Sequence, residues 1–398
     1  MSCDDRNMRL TRAAVFVLAV VAGGAIASDY ALQPALSEIA SEFDVRVPVI
    51  TSIASSAMVG YILGLALLVP LVDSVGARRI IPCQLSALAL TLSIAALAPG
   101  PVTLLACFAL IGATSTVAAQ CTAVVGRYSP PDRRASNMGA IGAGISAGIL
   151  LSRFVGGWLT QTYGWRGALL AFAAFAALAT PVTWGLLPTK LKIERRGYLD
   201  SIREIQLLHR NCSSLRRRTG AGMLWFFAFN LVWVGLAISL AAPPHSLNPG
   251  QIGLYSFAGV LGLAIVRPAG RLVDRFGSRP VILGSMGLVA LSSLLLAASL
   301  HSFLCTAAAL ALFDAGCFAA QVANQASIVA IDPGRSGSLS AAYLVPYYGA
   351  GAAGAAVAGI IVANFGWTAI AIIAAATTSV AAGVGYGAAQ PVSRQQRI

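Results

Sequence analysis

The stretch Gly270-Arg271-Leu272-Val273-Asp274-Arg275-Phe276-Gly277-Ser278-Arg279 has an echo earlier in the chain. Asp73-Ser74-Val75-Gly76-Ala77-Arg78-Arg79 stands 201 residues before Asp274-Arg275-Phe276-Gly277-Ser278-Arg279-Pro280. Two further loops repeat at an offset of 202: Pro131-Asp132-Arg133-Arg134 with Pro333-Gly334-Arg335, and Tyr163-Gly164-Trp165 with Phe365-Gly366-Trp367. Any one Gly/Arg string arises by chance. Three in the same order at offsets of 201 or 202, in 398 residues, mean two similar halves in parallel. In a membrane protein, that repetition marks a transporter built from two bundles.

Composition supplies the membrane. The chain is 57% hydrophobic and 10% charged, with mean hydropathy +0.78, where soluble domains carry roughly 25% charged residues. Backbone in lipid must satisfy itself internally, which leaves helices or closed barrels. The apolar runs approach or reach the ~20 residues a helix needs to cross a ~30 Å core, and no strict strand alternation is visible. Twelve spans are expected, at 13–33, 48–72, 80–98, 102–126, 138–160, 167–187, 219–241, 250–270, 280–300, 302–329, 338–362 and 367–388. The first has no small-residue cleavage site leading to a soluble domain and reads as retained.

The net charge of +13 is topological. With both termini in the cytoplasm, 23 of the 27 Lys and Arg residues fall on the inner side, as the positive-inside rule requires. Nine of these lie in 188–218, a polar segment that divides the chain into bundles 1–187 and 219–398. Such a basic linker suits the anionic inner leaflet, and no nucleic-acid partner is implied. The seven cysteines show no CxxC or metal spacing and behave as small hydrophobes. No metal, cofactor or disulfide is expected, and no P-loop is present.

These residues resemble the major facilitator superfamily: a 12-span chain with D-x-x-G-x-R-R after the second span and G-R-L-V-D-R-F-G-S-R after the eighth. The resemblance covers nearly the whole chain. Tyr30-Ala31-Leu32-Gln33-Pro34, Gly148 to Gly157 with Ser152-Arg153 inside, and Val322-Ala323-Asn324-Gln325 are similar to its arabinose-efflux-permease-like or drug/proton-antiporter-like branch. The chain departs from the pattern at Val69, Ser74 and Ser152-Arg153. The resemblance implies an all-α membrane protein: twelve transmembrane helices in two six-helix bundles related by pseudo-twofold symmetry. It also implies the first, fourth, seventh and tenth spans as cavity lining, and the repeated loops as gate contacts on the inner face. The gate set is Asp73, Gly76, Arg78, Gly270, Asp274, Arg275, Gly277 and Arg279. The second copy, with Gly270 and Arg275 in place, is expected to latch more strongly.

Ionisable groups inside a bilayer cost ~2.5–3.5 kcal/mol on insertion scales and are functional candidates by default. Asp29, Arg153 and Asp314 are the proton-coupling candidates; Arg267 sits near the inner surface and reads as snorkelling. Asp29 and Arg153 are expected to meet across adjacent helices, either as a protonation switch or as a static bridge. Phe226, Asn230 and Trp233 share one face of the seventh span, an aromatic wall suited to a flat solute or to lipid. Gln33, Gln120, Gln321 and Asn324 complete the substrate candidates. Glycine runs in the fifth span (Gly139 to Gly157) and the eleventh (Gly349 to Gly359) are expected to form the interface that rocks between halves.

The chain therefore reads as a secondary transporter of a bacterial inner membrane, a monomer exchanging a small organic solute for protons by alternating access. Uptake of an anionic solute held by Arg153 is the alternative, and a non-transporting receptor the second. Neither an enzyme nor an ATP-driven pump is indicated.

Overall fold

The computed structural model describes residues 10–130, 133–187, 207–332 and 336–388. The loop residues Pro131, Asp132 and Pro333–Arg335, and most of the basic linker, lie outside them. All regular structure among the described residues is helical. The elements are α1 (Arg12–Tyr30), α2 (Leu36–Glu42), α3 (Val47–Leu67), α4 (Ala77–Ala96), α5 (Pro101–Ser115), α6 (Val117–Tyr128), α7 (Arg134–Leu186), α8 (Ser213–Ala241), α9 (Pro249–Leu254), α10 (Ser256–Leu263), α11 (Val266–Phe276), α12 (Ser278–Ser299), α13 (Phe303–Val329) and α14 (Ser336–Ala388).

Nine helical stretches among the described residues are long and apolar enough to cross a membrane. Two of them, α7 and α14, have a non-helical glycine inside, Gly164 and Gly366. Each is two spans folded at that point. The eighth expected span is broken into α9, α10 and α11, none long enough alone. Counted this way, the described residues hold the twelve expected spans. Large apolar side chains such as Leu97, Val102, Leu178, Leu304 and Phe365 point outward, as a lipid-facing surface requires.

The duplication seen in the sequence is present in the backbone. Among the described residues, the glycines with positive φ are Gly76 (93°), Gly164 (72°), Gly277 (82°) and Gly366 (72°), the glycines of two of the repeated loops. A residue with a Cβ is strained there, so the turn geometry demands the repeated Gly. The tryptophans after the second pair also correspond. Trp165 donates its indole N–H to Glu42, and Trp367 donates its own to the Leu296 carbonyl at 2.7 Å. Each ties the helix after its kink to a neighbouring element. In the first copy Arg166 adds an ion pair to Glu42 and lies over the Trp165 ring at 4.2 Å.

The described residues group into two compact units. One holds those up to 187 with Leu236–Phe257; the other holds those from 207 to 235 with those from 258 onward. In the first, α1 lies along the first half of α7, α3 along α5, and α4 against α7. In the second, α12 lies between α13 and α14.

Candidate functional site

The site in the first unit is built where helices break. α1 ends at Tyr30, and the chain passes through a turn and a 3-10 segment, Gln33–Ala35, before α2. The fourth span breaks at Thr116, between α5 and α6. The two breaks meet at Asp29 and Ser115. Ser115 Oγ donates to Asp29 Oδ2 at 2.7 Å, and both residues are buried. The same hydroxyl lies 2.9 Å from the Gly112 carbonyl. Asp29 Oδ1 is buried with no hydrogen-bond partner among the described residues.

Arg153 is also buried, but it does not pair with Asp29. Its Nε donates to Gln33 Oε1 at 2.7 Å, Nη1 donates to the Ile149 carbonyl at 3.1 Å, and the guanidinium lies 5.0 Å from the Tyr30 ring centre. The expected static Asp29–Arg153 bridge is thus corrected: Arg153 braces the break in the first span, and a hydroxyl holds Asp29. Ser115 was missed in the sequence because a serine in an apolar run carries no periodic signal.

Gln120 sits in a cluster of buried amides. Its amide nitrogen donates to Gln84 Oε1 at 2.8 Å and to the Leu68 carbonyl at 3.0 Å. Gln84, which the sequence did not single out, donates to the Thr114 carbonyl and to Thr116 Oγ1, each at 2.8 Å. Leu68 follows the end of α3, and Thr114 stands just before the break in the fourth span. The two amides therefore add hydrogen bonds to carbonyls near helix ends and breaks, each of which also accepts one backbone N–H.

The second unit brings several expected residues together. Asp314 is fully buried and accepts from Trp233 Nε1 at 3.1 Å. Gly262 of α10 packs on it so closely that a Cβ there would stand 2.9 Å from Asp314 Cβ. The aromatic wall is buried, which excludes the lipid-facing reading of Phe226 and Trp233. Phe226 stacks on Tyr347 at 3.9 Å with rings 14° from parallel, and Trp225 and Tyr348 meet Tyr347 edge-on. Gly351 makes room for this: a Cβ there would lie 2.4 Å from the Phe226 ring. Asn230 turns its amide nitrogen back to the Phe226 carbonyl, leaving Oδ1 buried without a partner among the described residues. The tyrosines of α14 were not foreseen.

Gln321 and Asn324 make contacts between helices. Tyr343 donates its hydroxyl to Gln321 Oε1 at 2.8 Å. Asn324 donates to the Arg218 carbonyl at 3.0 Å, and Arg218 donates to the Ser327 carbonyl. The ends of α8 and α13 are thus tied reciprocally.

At the repeated loops, Gly76 and Gly277 start α4 and α12. Asp274 and Arg275 are exposed and Arg78 is half-buried. Arg275 lies over the Phe276 ring at 5.1 Å, and no ion pair joins Asp274 to another helix among the described residues. Gly270 has open space around it. The side chains of Asp73 and Arg267 lie outside the described residues.

Several glycines of the two runs seat on helices of their own unit. Cβ atoms at Gly144, Gly148 and Gly156 would meet the carbonyls of Ala19, Gly23 and Ala31 at 2.4, 2.1 and 2.0 Å, so the fifth span seats on the first. In the eleventh, Gly354 approaches the Phe227 carbonyl of α8. At the end of the first run Gly157 lies against the Pro249 carbonyl and Gly253 against that of Arg153, all four residues belonging to the first unit. Small residues alone gave no indication of which helix they faced.

The profile of the Major Facilitator Superfamily matches residues 18–242 and 219–396. The putative uncharacterized transporter YgaY of Escherichia coli K12 is 30% identical over 369 residues, covering 93% of this chain and 94% of its own. The probable transporter SCO4007 of Streptomyces coelicolor is 29% identical over 354 residues, 88% of this chain and 81% of its own. Among solved structures, the nucleoside transporter NupG (a D323A mutant) superposes with a TM-score of 0.77 at 14% identity, over 95% of this chain and 99% of its own.

Proposed function

The chain belongs to the major facilitator superfamily and is a membrane transporter, not an enzyme; on that premise we propose that it exports a small organic solute in exchange for protons. The reading rests on the Asp29–Ser115 contact. An ionised Asp29 accepts the Ser115 hydroxyl proton at 2.7 Å. A protonated Asp29 instead donates to Ser115 Oγ, and the hydroxyl turns to the Gly112 carbonyl, already 2.9 Å away. One hydroxyl thus serves both protonation states with no helix moving, and a hydroxyl hydrogen is free to rotate in this way. A buried carboxyl whose Oδ2 keeps its partner in either state suits a group that loads and unloads a proton during transport.

In this reading Asp314 is the second proton-carrying group, and its Trp233 contact links it to the aromatic wall. Phe226, Asn230 and Trp233 are the solute-contacting groups of the second unit, and Gln33 and Arg153 those of the first. Gln120, Gln321 and Asn324 hold helices together. Asp73, Gly76, Arg78, Gly270, Asp274, Arg275, Gly277 and Arg279 form the gate loops, which make their charge contacts in one state of the alternating-access cycle. The bundles are 1–187 and 219–398, joined by the basic linker 188–218. The protein works as a monomer in a bacterial inner membrane with both termini in the cytoplasm.

The test is a growth-sensitivity panel of deletion and overexpressing strains over antimicrobials, sugars and organic acids, followed by uptake of each hit into everted vesicles. Export by antiport predicts accumulation driven by an acid interior and abolished by an uncoupler. Accumulation indifferent to the uncoupler would remove proton coupling, and uptake into right-side-out cells would reverse the direction.

A further inference from the structure

We infer that the helix break after Tyr30, with Arg153 laid across it, binds the carboxylate of an organic anion. The inference rests on reading this break as part of the transport path. Gln33 and Arg153 are 3% and 2% exposed. The Arg153 side chain only donates, so its 2.7 Å contact sets the Gln33 amide with Oε1 toward Nε. The amide cannot be flipped without placing two donors face to face. Nε2 is then turned away from Arg153, buried and without an acceptor among the described residues. A buried N–H left in that condition costs about 1–3 kcal/mol.

The groups at this point share one character. Gln33 Nε2 and the guanidinium are donors, one of them charged, and the complementary ligand atom is an anionic acceptor. The Tyr30 ring beneath the guanidinium, 5.0 Å from its carbon, holds that plane in place. A planar fork of N–H groups matches a planar two-oxygen group. One arginine balances one negative charge, which favours a monocarboxylate over a phosphate dianion. On the side facing the fifth span there is no free space, because a Cβ at Gly156 would already stand 2.0 Å from the Ala31 carbonyl. The ligand therefore approaches from a side other than that of the fifth span.

Purified full-length protein in nanodiscs tests this with four probes: sodium benzoate and sodium acetate, each against its neutral amide, benzamide or acetamide. At least one carboxylate is expected to bind about tenfold more tightly than its amide, a difference of about 1.4 kcal/mol. Gln33→Glu keeps an oxygen for Arg153 and puts a second, negative oxygen where Nε2 stands. It should weaken the carboxylate about tenfold or more. Gln33→Met removes the donor without adding charge and gives the same direction should the glutamate variant fail to insert. Equal binding of acid and amide, no binding of either carboxylate, or variants that bind as the parent does would each overturn the inference. Proton-driven transport of a neutral or cationic solute by protein that ignores carboxylates would sink this inference and keep the export reading. Carboxylate binding lost in Gln33→Glu, in protein that shows no proton coupling, would do the reverse.

Discussion

Ser115 Oγ stands 2.7 Å from Asp29 Oδ2 across 86 residues of sequence, joining the break in the fourth span to the end of α1. If this hydroxyl is the switch partner of the carboxyl, Ser115→Ala should fold and insert but lower proton-driven transport about tenfold, the effect of losing a hydrogen bond of ~1.5 kcal/mol to a charged group. Ser115→Thr keeps the hydroxyl and should retain most of the rate. Initial rates in everted vesicles give the comparison, and equal rates for Ala and Thr would count against a role for the hydroxyl.

Asp314 and Trp233 allow charge to be separated from packing. Asp314→Asn preserves the volume and an oxygen for the indole N–H, while removing the ionisable group. Transport should fall more than about tenfold, with the thermal midpoint of the purified protein little changed, as expected where an intramembrane charge serves function. Loss of stability in step with activity would assign Asp314 to the scaffold.

Gln84 predicts the opposite pattern. Its amide serves the Thr114 carbonyl and Thr116 Oγ1 and accepts from Gln120, so Gln84→Leu removes three hydrogen bonds from one buried cluster. Each contributes about 0.5–1.5 kcal/mol, and the variant should melt well below the parent. An unchanged melting temperature would mean that the brace is not needed.

Two glycines of the fifth span separate close packing from mere smallness. A Cβ at Gly148 would lie 2.1 Å from the Gly23 carbonyl, whereas Gly142 has open space. Gly148→Ala should destabilise by about 1–3 kcal/mol through overpacking, and Gly142→Ala should be neutral. Thermal unfolding of the pair in one detergent decides it; equal midpoints would contradict the packing of α7 on α1.

These contrasts show what could be read in advance. The Gly76, Gly164, Gly277 and Gly366 turns were legible because positive φ restricts the residue type, so the same backbone forces the same letter in both copies. Trp165 and Trp367 followed for a related reason, since each repeated turn sets its indole against a neighbouring element. Asp29, Arg153 and Asp314 stood out because charge in lipid is rare. Partners were another matter. Arg153 and Asp29 seemed matched by sign, yet Gln33 takes the arginine and Ser115 the aspartate, because the helix breaks decide which atoms come within reach. Those breaks leave little trace in composition. The fourth span parts between Ser115 and Val117 with neither Gly nor Pro there, and Gln84, which satisfies it, sits in another helix. The glycine stripes named a close contact without naming the helix on the other side.

Proton movement at Asp29 is most directly tested in everted vesicles carrying a pH-sensitive dye, by adding the solute identified in the growth panel to the parent and to Asp29→Asn. The parent should release protons from the acidified interior as the solute enters, and Asp29→Asn, equally abundant in the membrane, should release none. Solute-induced proton release by Asp29→Asn at the parent's rate would contradict the account.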